Sequence, residues 1–566
     1  MHRSHVRRHR RPPHGMVLIV VLVAIVMLSL AGYTFAQLMF AEREAAWAHG
    51  QGMQAQALAH SGVAWMQQQS LQSSASLAQQ GGWYNNPSLF RGVLVTHSEL
   101  DPIPGRFTVL SPQMQMGSVV GMRYGLEDES SRLNLNTLLL LDQQKSGQGA
   151  QALMMLPGLT ADVADAILDW IDADDTTRTN GAEREYYNGL SPGYSPKNGP
   201  LESVEELLLV RGVTPQMLFG MDYDRNGLID AREATNGLPQ GGQSGSGTLG
   251  GSSSSGSGSS SSGGSSNGSG SSSGGSSSNS STVSNPFATS NIQGWAQYLT
   301  IYSMESNLRP NGQLKINLNS SDLSQLQQDL SMALDPDTAT YIVAYRQGSV
   351  TGVNPNQPTP PNSQAAQSVS GRQLDLTKPA ANQLASPLDL VGASVQVAFQ
   401  GSSQQVTIAS PFNPSPSAMG SYLPKLLEST TIVPSPTVPG RININQASPT
   451  VLMTIPNMTA QVVDQILNSR PIDPSQLNTD RQFPTWPYAE GLIDLNTMKQ
   501  IMPFITSSGR VFRAQVVGHF DRPGPASRIE AVVDATSPIP RLLFWRDLSH
   551  LGRGFAPAML GVASTK

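Results

Sequence analysis

The chain contains no cysteine. Disulfides, thiolate-bound metals and a cysteine nucleophile are therefore excluded. Charge is also scarce, with Asp, Glu, Lys and Arg together at 13%, about half the usual share. No long basic run follows the first dozen residues, which argues against non-specific tracking of a phosphate backbone. Of nine histidines, five lie at or before His49, and none has metal-ligand spacing. There is no P-loop and no nucleophile elbow, and nothing in the sequence links a Ser, an Asp and a His. These absences argue against an enzyme.

What is present begins at the N-terminus. Arg3, Arg7, Arg8, Arg10 and Arg11 precede Pro12-Pro13-His14-Gly15-Met16, and 25 residues from Met16 to Phe40 then carry no formal charge. A helix of about 20 apolar residues spans a bilayer. The arginines before it, with Glu42 and Glu44 after it, orient the N-terminus toward the cytoplasm. A secretory signal has a shorter apolar core with its cleavage site after that core. Here the plausible processing site, Gly15-Met16, comes first, so cleavage leaves the helix on the mature chain. The alternative is an uncut signal anchor. Cleavage removes five of 35 basic residues, leaving 30 against 40 acidic ones.

This junction resembles the leader of type IV pilins and pseudopilins, cut after Gly by a prepilin peptidase that also methylates the new amine. With Met16 first, Val20 holds the fifth mature position, where most pilins carry Glu. That Glu is thought to pair with a neighbour's terminal amine, since a lone charge in lipid is unfavourable. A subunit lacking it suits a filament end. Among pseudopilins this pattern is similar to the type II secretion component called general secretion pathway protein K.

From Gly241 to Ser280, 35 of 40 residues are Gly or Ser, a flexible spacer. Before it, Ala41 to Gln69 has good helix formers throughout, which predicts that the membrane helix continues. Gly105 to Leu110 and Val119 to Leu126 alternate as strands. An apolar-Asn/Asp-apolar-Asn pattern then recurs at Leu133-Asn134-Leu135-Asn136, Ile316-Asn317-Leu318-Asn319, Ile442-Asn443-Ile444-Asn445 and Ile493-Asp494-Leu495-Asn496. It reads as a short strand whose last Asn caps a helix. Three copies lead into helix, proline-containing turn and helix, and resemble helix-hairpin-helix units. The turns at Pro157-Gly158 and Pro456-Asn457 are followed by Thr160 and Thr459, which read as helix N-caps. No lysine follows closely, so a packing or protein-contact role is favoured over DNA binding.

The stretch Ala166 to Asp175, then Asn180 to Tyr187, Pro200 to Leu207 and Val210 to Thr214, resembles the helical insertion of the K family in the same order. That resemblance implies calcium, with Asp172, Asp174, Asp175 and Glu183 as the matching acids; the alternative is a solvated helix end. A second candidate stands on its own spacing. In Asp222-Tyr223-Asp224-Arg225-Asn226-Gly227-Leu228-Ile229-Asp230-Ala231-Arg232-Glu233, oxygen ligands fall at loop positions 1, 3, 5, 9 and 12, with Gly at 6. This is the EF-hand pattern. Asp222, Asp224 and Asn226 would ligate by side chain, Leu228 by carbonyl, Asp230 directly or through water, and Glu233 bidentately. Hard oxygen donors select Ca2+.

Arg510 to Gly518 and Ser527 to Asp534 alternate as antiparallel strands, and Leu542 to Arg546 reads as an edge strand. The expected fold is α+β. A transmembrane helix continues into a pilin-like antiparallel-sheet head, which carries a large, mostly helical insertion with helix-hairpin-helix-like units. The boundaries are a leader at 1–15, the transmembrane helix at 16–40, helix and first strands at 41–136, and insertion with calcium loop at 137–236. A Gly/Ser linker at 237–283, a second helical region at 284–490 and closing strands at 491–566 follow. The resemblance implies a single-pass subunit of the bacterial inner membrane, head in the periplasm, at the tip of a type II secretion pseudopilus, where it initiates assembly and aids export. Its partners would be other minor pseudopilins, the prepilin peptidase, the inner-membrane assembly platform and the bilayer, with nucleic acid disfavoured. The alternatives are a membrane-anchored helix-hairpin-helix DNA-binding or uptake protein and a minor pilin of a related pilus system.

Overall fold

The computed structural model describes residues 14–72, 74–96, 103–115, 118–230, 233, 293–351, 369–474, 479–522 and 524–562. The basic leader before His14, the Gly/Ser stretch and Pro355–Pro361 lie outside them. One helix of 57 residues runs from His14 to Ser70, uninterrupted because no proline falls within it and helix formers dominate. Every side chain described from Val17 to Gly50 is exposed. Beyond that point Ala55, Leu58, Ala59, Val63 and Met66 form a buried stripe at helical spacing.

The stripe packs on a seven-stranded sheet. Its main path runs Val93–Thr96, Gly105–Gln115, Val511–Phe520, Ser527–Asp534 and Arg541–Asp547, all neighbours antiparallel. Ser118–Tyr124 pairs with Gly105–Gln115, and Glu127–Asp128 with the start of Val511–Phe520. The alternating sequences therefore form strands as expected, with the chain's last three strands added side by side onto Gly105–Gln115. Phe107, Val109, Val516, Ile529, Ala531 and Val533 face the helix. Close contact depends on two glycines. A Cβ on Gly518 would sit 2.5 Å from the Ala59 amide nitrogen, and one on Gly62 would sit 2.9 Å from the Phe107 ring.

Between Asp128 and Val511 the chain leaves the sheet and builds three similar units. The first opens with strand Leu133–Asn134, which pairs in parallel with Leu299–Thr300. The second pairs Ile316–Asn317 with Thr430–Thr431, and the third Ile442–Asn443 with Ile505–Thr506. In each, the first Asn side chain accepts from the amide of the second: Asn136, Asn319 and Asn445, at 3.0, 3.0 and 2.9 Å. Each return strand ends in a Thr whose hydroxyl accepts from the amide two residues on, in Tyr302, Val433 and Ser508. Asn136 and Asn319 make the same reciprocal pair of bonds, to the backbone of Leu201 and of Leu384.

Three expectations need correction. The capping oxygen belongs to the first Asn of each pair, because its side chain closes a turn two residues long. Ile493-Asp494 forms no strand; Asp494 instead caps helix Leu495–Ile501 by accepting from Thr497 at 2.9 Å. Thr459 caps its helix through the Val462 amide, whereas Thr160 holds the N-cap position without a capping bond. Gly158 and Asn457 share a left-handed turn, at φ 68° and 63°, which Gly and Asn tolerate best.

One buried group makes the sheet acid-sensitive. His519 is 1% exposed, and its Nε2 lies 3.0 Å from the Thr108 hydroxyl. That hydroxyl donates to the Leu560 carbonyl and accepts from the Gly92 amide, so Nε2 is the donor and Nδ1 bears the lone pair. Among the described residues Nδ1 has no partner. Burial pushes the imidazole down to about 4, opposed by the Phe520 backbone and by Asp521 and assisted by Arg553 and Arg106. The unfolded chain takes up this proton near pH 6.5 and the folded chain only near 4. Stability from this group is therefore complete above pH 6.5 and lost as pH falls toward 4, by up to about 3 kcal/mol. Urea unfolding at stepped pH should show this slope in the native chain and a shallower one in His519→Gln.

Candidate metal centres

Both acidic clusters lie in the first unit. Helix Ala161–Ile171 is driven inward by Val163, Ile167, Leu168 and Ile171, and carries Asp169 in with them at 0% exposure. Asp172 stands at its C-cap, and Glu183 is the N-cap residue of helix Arg184–Asn188. Carboxylate oxygens of Asp169, Asp172 and Glu183 all lie within 4.8 Å of one another. Gly181 makes the space, since a Cβ there would collide with the Asp169 carboxylate.

Arg178 is the cation of this cluster. It pairs with Asp169 at 2.8 Å, with Asp172, and with Asp142 at 3.8 Å. It does not reach Glu183. Both Glu183 oxygens and Oδ1 of Asp172 are buried without a hydrogen-bond partner among the described residues. Burial, with the charges of Asp169 and Asp172, pushes the Glu183 carboxyl up to about 7. Burial also raises Asp169 and Asp172, against the opposing Arg178. Orphaned carboxylate oxygens converging with excess negative charge suit a hard cation.

The four acids nominated from sequence divide here. Asp172 and Glu183 converge, while Asp174 and Asp175 are exposed and otherwise engaged. Asp174 accepts from the Thr176 amide at 2.8 Å. Asp175 accepts from Asn198 at 2.9 Å and faces Arg184 at 3.5 Å. Asp169 was missed. Its signal is a carboxylate between Leu168 and Trp170 on a helix whose last six residues are all buried.

The second cluster is the loop from Asp222. Helix Pro215–Phe219 leads in, its N-cap Thr214 accepting from Met217 at 3.3 Å. Oxygens of Asp222, Asp224 and Glu233 lie within 4.8 Å of one another. Asp222 accepts from the amides of Asn226 and Gly227, at 3.0 and 2.8 Å. Glu233 accepts from the amides of Asp224 and Asp230, both at 3.1 Å, which folds the loop's end back on its start. Asn226 Oδ1 accepts from Leu228 at 2.6 Å. Gly227 takes φ 82° at the sharp turn. Burial pushes Asp222 up to about 7, with Asp224 and Glu233 adding to it. Asp230 is exposed and donates its geometry through Oδ1, which accepts from the Glu233 amide at 3.0 Å.

The loop is fastened to the head sheet. Gln515 donates to the Arg225 carbonyl at 2.5 Å, the fully buried Arg528 donates to the Asp224 carbonyl, and Asn226 donates to Gly554 at 2.6 Å. An ion held by this loop would thus bear on the sheet as well as on the insertion.

The chain thus combines an exposed apolar helix, whose second half packs on an antiparallel sheet, with an inserted run of hairpin units that carries these acids. Residues 131–220 match the family model "Type II secretion system (T2SS), protein K". It is 48% identical over 48 residues to type II secretion system protein K of Klebsiella pneumoniae, covering 8% of this chain and 15% of that protein. The chain thus spans about one seventh of the curated relative it matches. A comparison with the crystal structure of the GspK-GspI-GspJ complex of enterotoxigenic Escherichia coli covers 90% of this chain and 98% of that one, at 11% identity and a TM-score of 0.29.

The ion pairs at Arg178 hold three acids together. Arg178→Gln, unfolded in the presence of a chelator, should lose about 3 kcal/mol relative to the native chain, because an unpaired carboxylate is left buried.

Proposed function

We propose that this chain is a minor pseudopilin at the tip of a type II secretion pseudopilus, where it initiates assembly and aids export of folded proteins. The observation that carries this reading is the fusion of the K-family stretch to a helix whose apolar half, Val17 to Phe40, packs on nothing among the described residues. That half is long and apolar enough to cross a membrane. A prepilin peptidase would cut between Gly15 and Met16, and the assembly platform and other minor pseudopilins would receive the product. Val20 in place of Glu would leave this subunit unable to accept a neighbour's amine, as a filament end permits. The N-terminus would face the cytoplasm and the head the periplasm. The DNA-binding alternative is not favoured. The turns at Gly158 and Asn457 are followed by Asp162 and Asp464 rather than by cations.

Intact mass of the membrane-extracted chain tests the processing step. A chain beginning at Met16, one methyl heavier, is the expected result. A chain beginning at Met1 would make it a plain membrane anchor.

Calcium forms part of the same proposal. Asp222, Asp224, Asn226, Asp230 and Glu233, with the Leu228 carbonyl, would hold one ion. Asp169, Asp172 and Glu183 would hold a second once Arg178 swings aside. The donor set is hard oxygen throughout, and the orphaned oxygens of Glu183 fit it. Calcium at a hundredfold excess over its Kd should stabilise the head by about 2.7 kcal/mol per site. Asp222→Asn and Glu183→Gln should each remove one site's share of the thermal shift, and equal shifts in both variants and the native chain would refute the assignment.

A further inference from the structure

A cleft of about 240 Å³ lies between the second and third units. Lys315, Arg441 and Arg510 line it, with Glu305 as its one carboxylate and Ser306, Thr431, Ser507 and Ser508 among its polar walls. Arg441 is committed to Glu305, at 2.6 Å, and to the Pro503 carbonyl. Lys315 and Arg510 form no ion pair among the described residues. The Lys315 ammonium donates to the Leu427 carbonyl at 2.7 Å, and Arg510 to the Ala535 carbonyl at 3.3 Å. Carbonyls satisfy donors but bring no counter-charge into contact; burial pushes both groups' proton affinity down, opposed at longer range by Glu305 for Lys315 and by Asp128 for Arg510. Glu428, the other acid acting on Lys315, is exposed on helix Leu423–Ser429.

The repeat supplies an internal control. Arg132, Lys315 and Arg441 each stand one residue before the opening strand of their unit. Arg132 is paired with Glu127 at 2.7 Å and Arg441 with Glu305. Arg441 lines the same cleft and Arg132 another, but among the described residues only the second unit's basic residue has no carboxylate paired to it. A fold that gives this position an acid twice and omits it once leaves room for an external anion.

We propose that this cleft binds a doubly charged oxyanion of the phosphate class, gripped by Lys315 and Arg510. Arg's fork and Lys's three donors match tetrahedral oxygens. The cavity exceeds a bare phosphate and admits a phosphomonoester, so the ion could arrive free or on a larger headgroup. Three outcomes carry the proposal in the detergent-extracted full chain. Inorganic phosphate raises the melting temperature beyond chloride at matched ionic strength. Lys315→Met weakens phosphate binding tenfold or more, while Lys315→Arg retains it. Tungstate soaked into crystals of the native chain gives an anomalous peak in the cleft, which decides the matter even if Lys315→Met misfolds. Tighter binding of glycerol phosphate than of phosphate identifies a headgroup as the source, and equal binding a free ion. No stabilisation beyond chloride, unchanged affinity in Lys315→Met, or a tungstate peak only elsewhere would overturn it.

Discussion

Two adjacent buried carboxylates join the sheet to everything inserted into it. Asp128 accepts from the amides of Ser130 and Gly509 and from the Asn443 side chain, at 2.8, 2.6 and 2.8 Å. Glu129 is held by Arg513 of the sheet and Thr300 of the first unit. Both acids are fully buried. Burial raises Asp128, partly offset by its backbone donors. Burial raises Glu129 as well, but Arg513 and Arg132 outweigh it and hold the carboxyl below its ordinary range. Charges this deep are tolerated only with their full set of donors. Those donors come from the head, the first unit and the third, so no one of these parts is complete without the others.

The three units use one set of backbone bonds and differ where chemistry is needed. Eleven residues past the N-caps Asp335 and Thr459 stand Arg346 and Arg470, which donate to carbonyls of their own opening turns, Leu318 and Ala447 among them. The same position in the first unit is Ile171. Nine residues past the cap, Ala344 and Asn468 correspond to Asp169. The first unit has therefore exchanged a backbone-clamping arginine for an apolar residue, and gained a buried acid two residues earlier. Similar scaffolds in tandem can thus carry an acidic cluster in one unit and a cationic cleft beside another.

Much of this was legible in sequence where a period exists to be read. The unbroken helix, the alternating strands at 105–110, 511–518 and 527–534 and the Asn-apolar-Asn openings all have such a period. The return strands Leu299–Thr300, Thr430–Thr431 and Ile505–Thr506 have none, being two residues long and fixed by partners over 60 residues away. Asp174 and Asp175 are implied as ligands by the family resemblance, which matches order along the chain and not convergence in space. Asp169 is not, because convergence with Glu183 depends on the turn at Gly181, which no local spacing encodes. In the loop from Asp222 the ligand order is itself the local spacing, and three of its acids, Asp222, Asp224 and Glu233, come within 4.8 Å of one another.

The amide of Gly509 rests on the carboxylate of Asp128 across 381 residues of chain. The excursion thus returns to within one hydrogen bond of where it left. Closure entropy grows only with the logarithm of contour length, so adding a unit the size of the second would weaken that closure by about 0.3 kcal/mol. Growth of the head by whole units is therefore nearly free for the sheet. The same return also fixes an order of events during synthesis. Strand Val511–Phe520 cannot take its place beside Gly105–Gln115 until the entire excursion has left the ribosome. Until then the helix stripe from Ala55 to Met66 lacks its central strand and leaves its apolar surface uncovered.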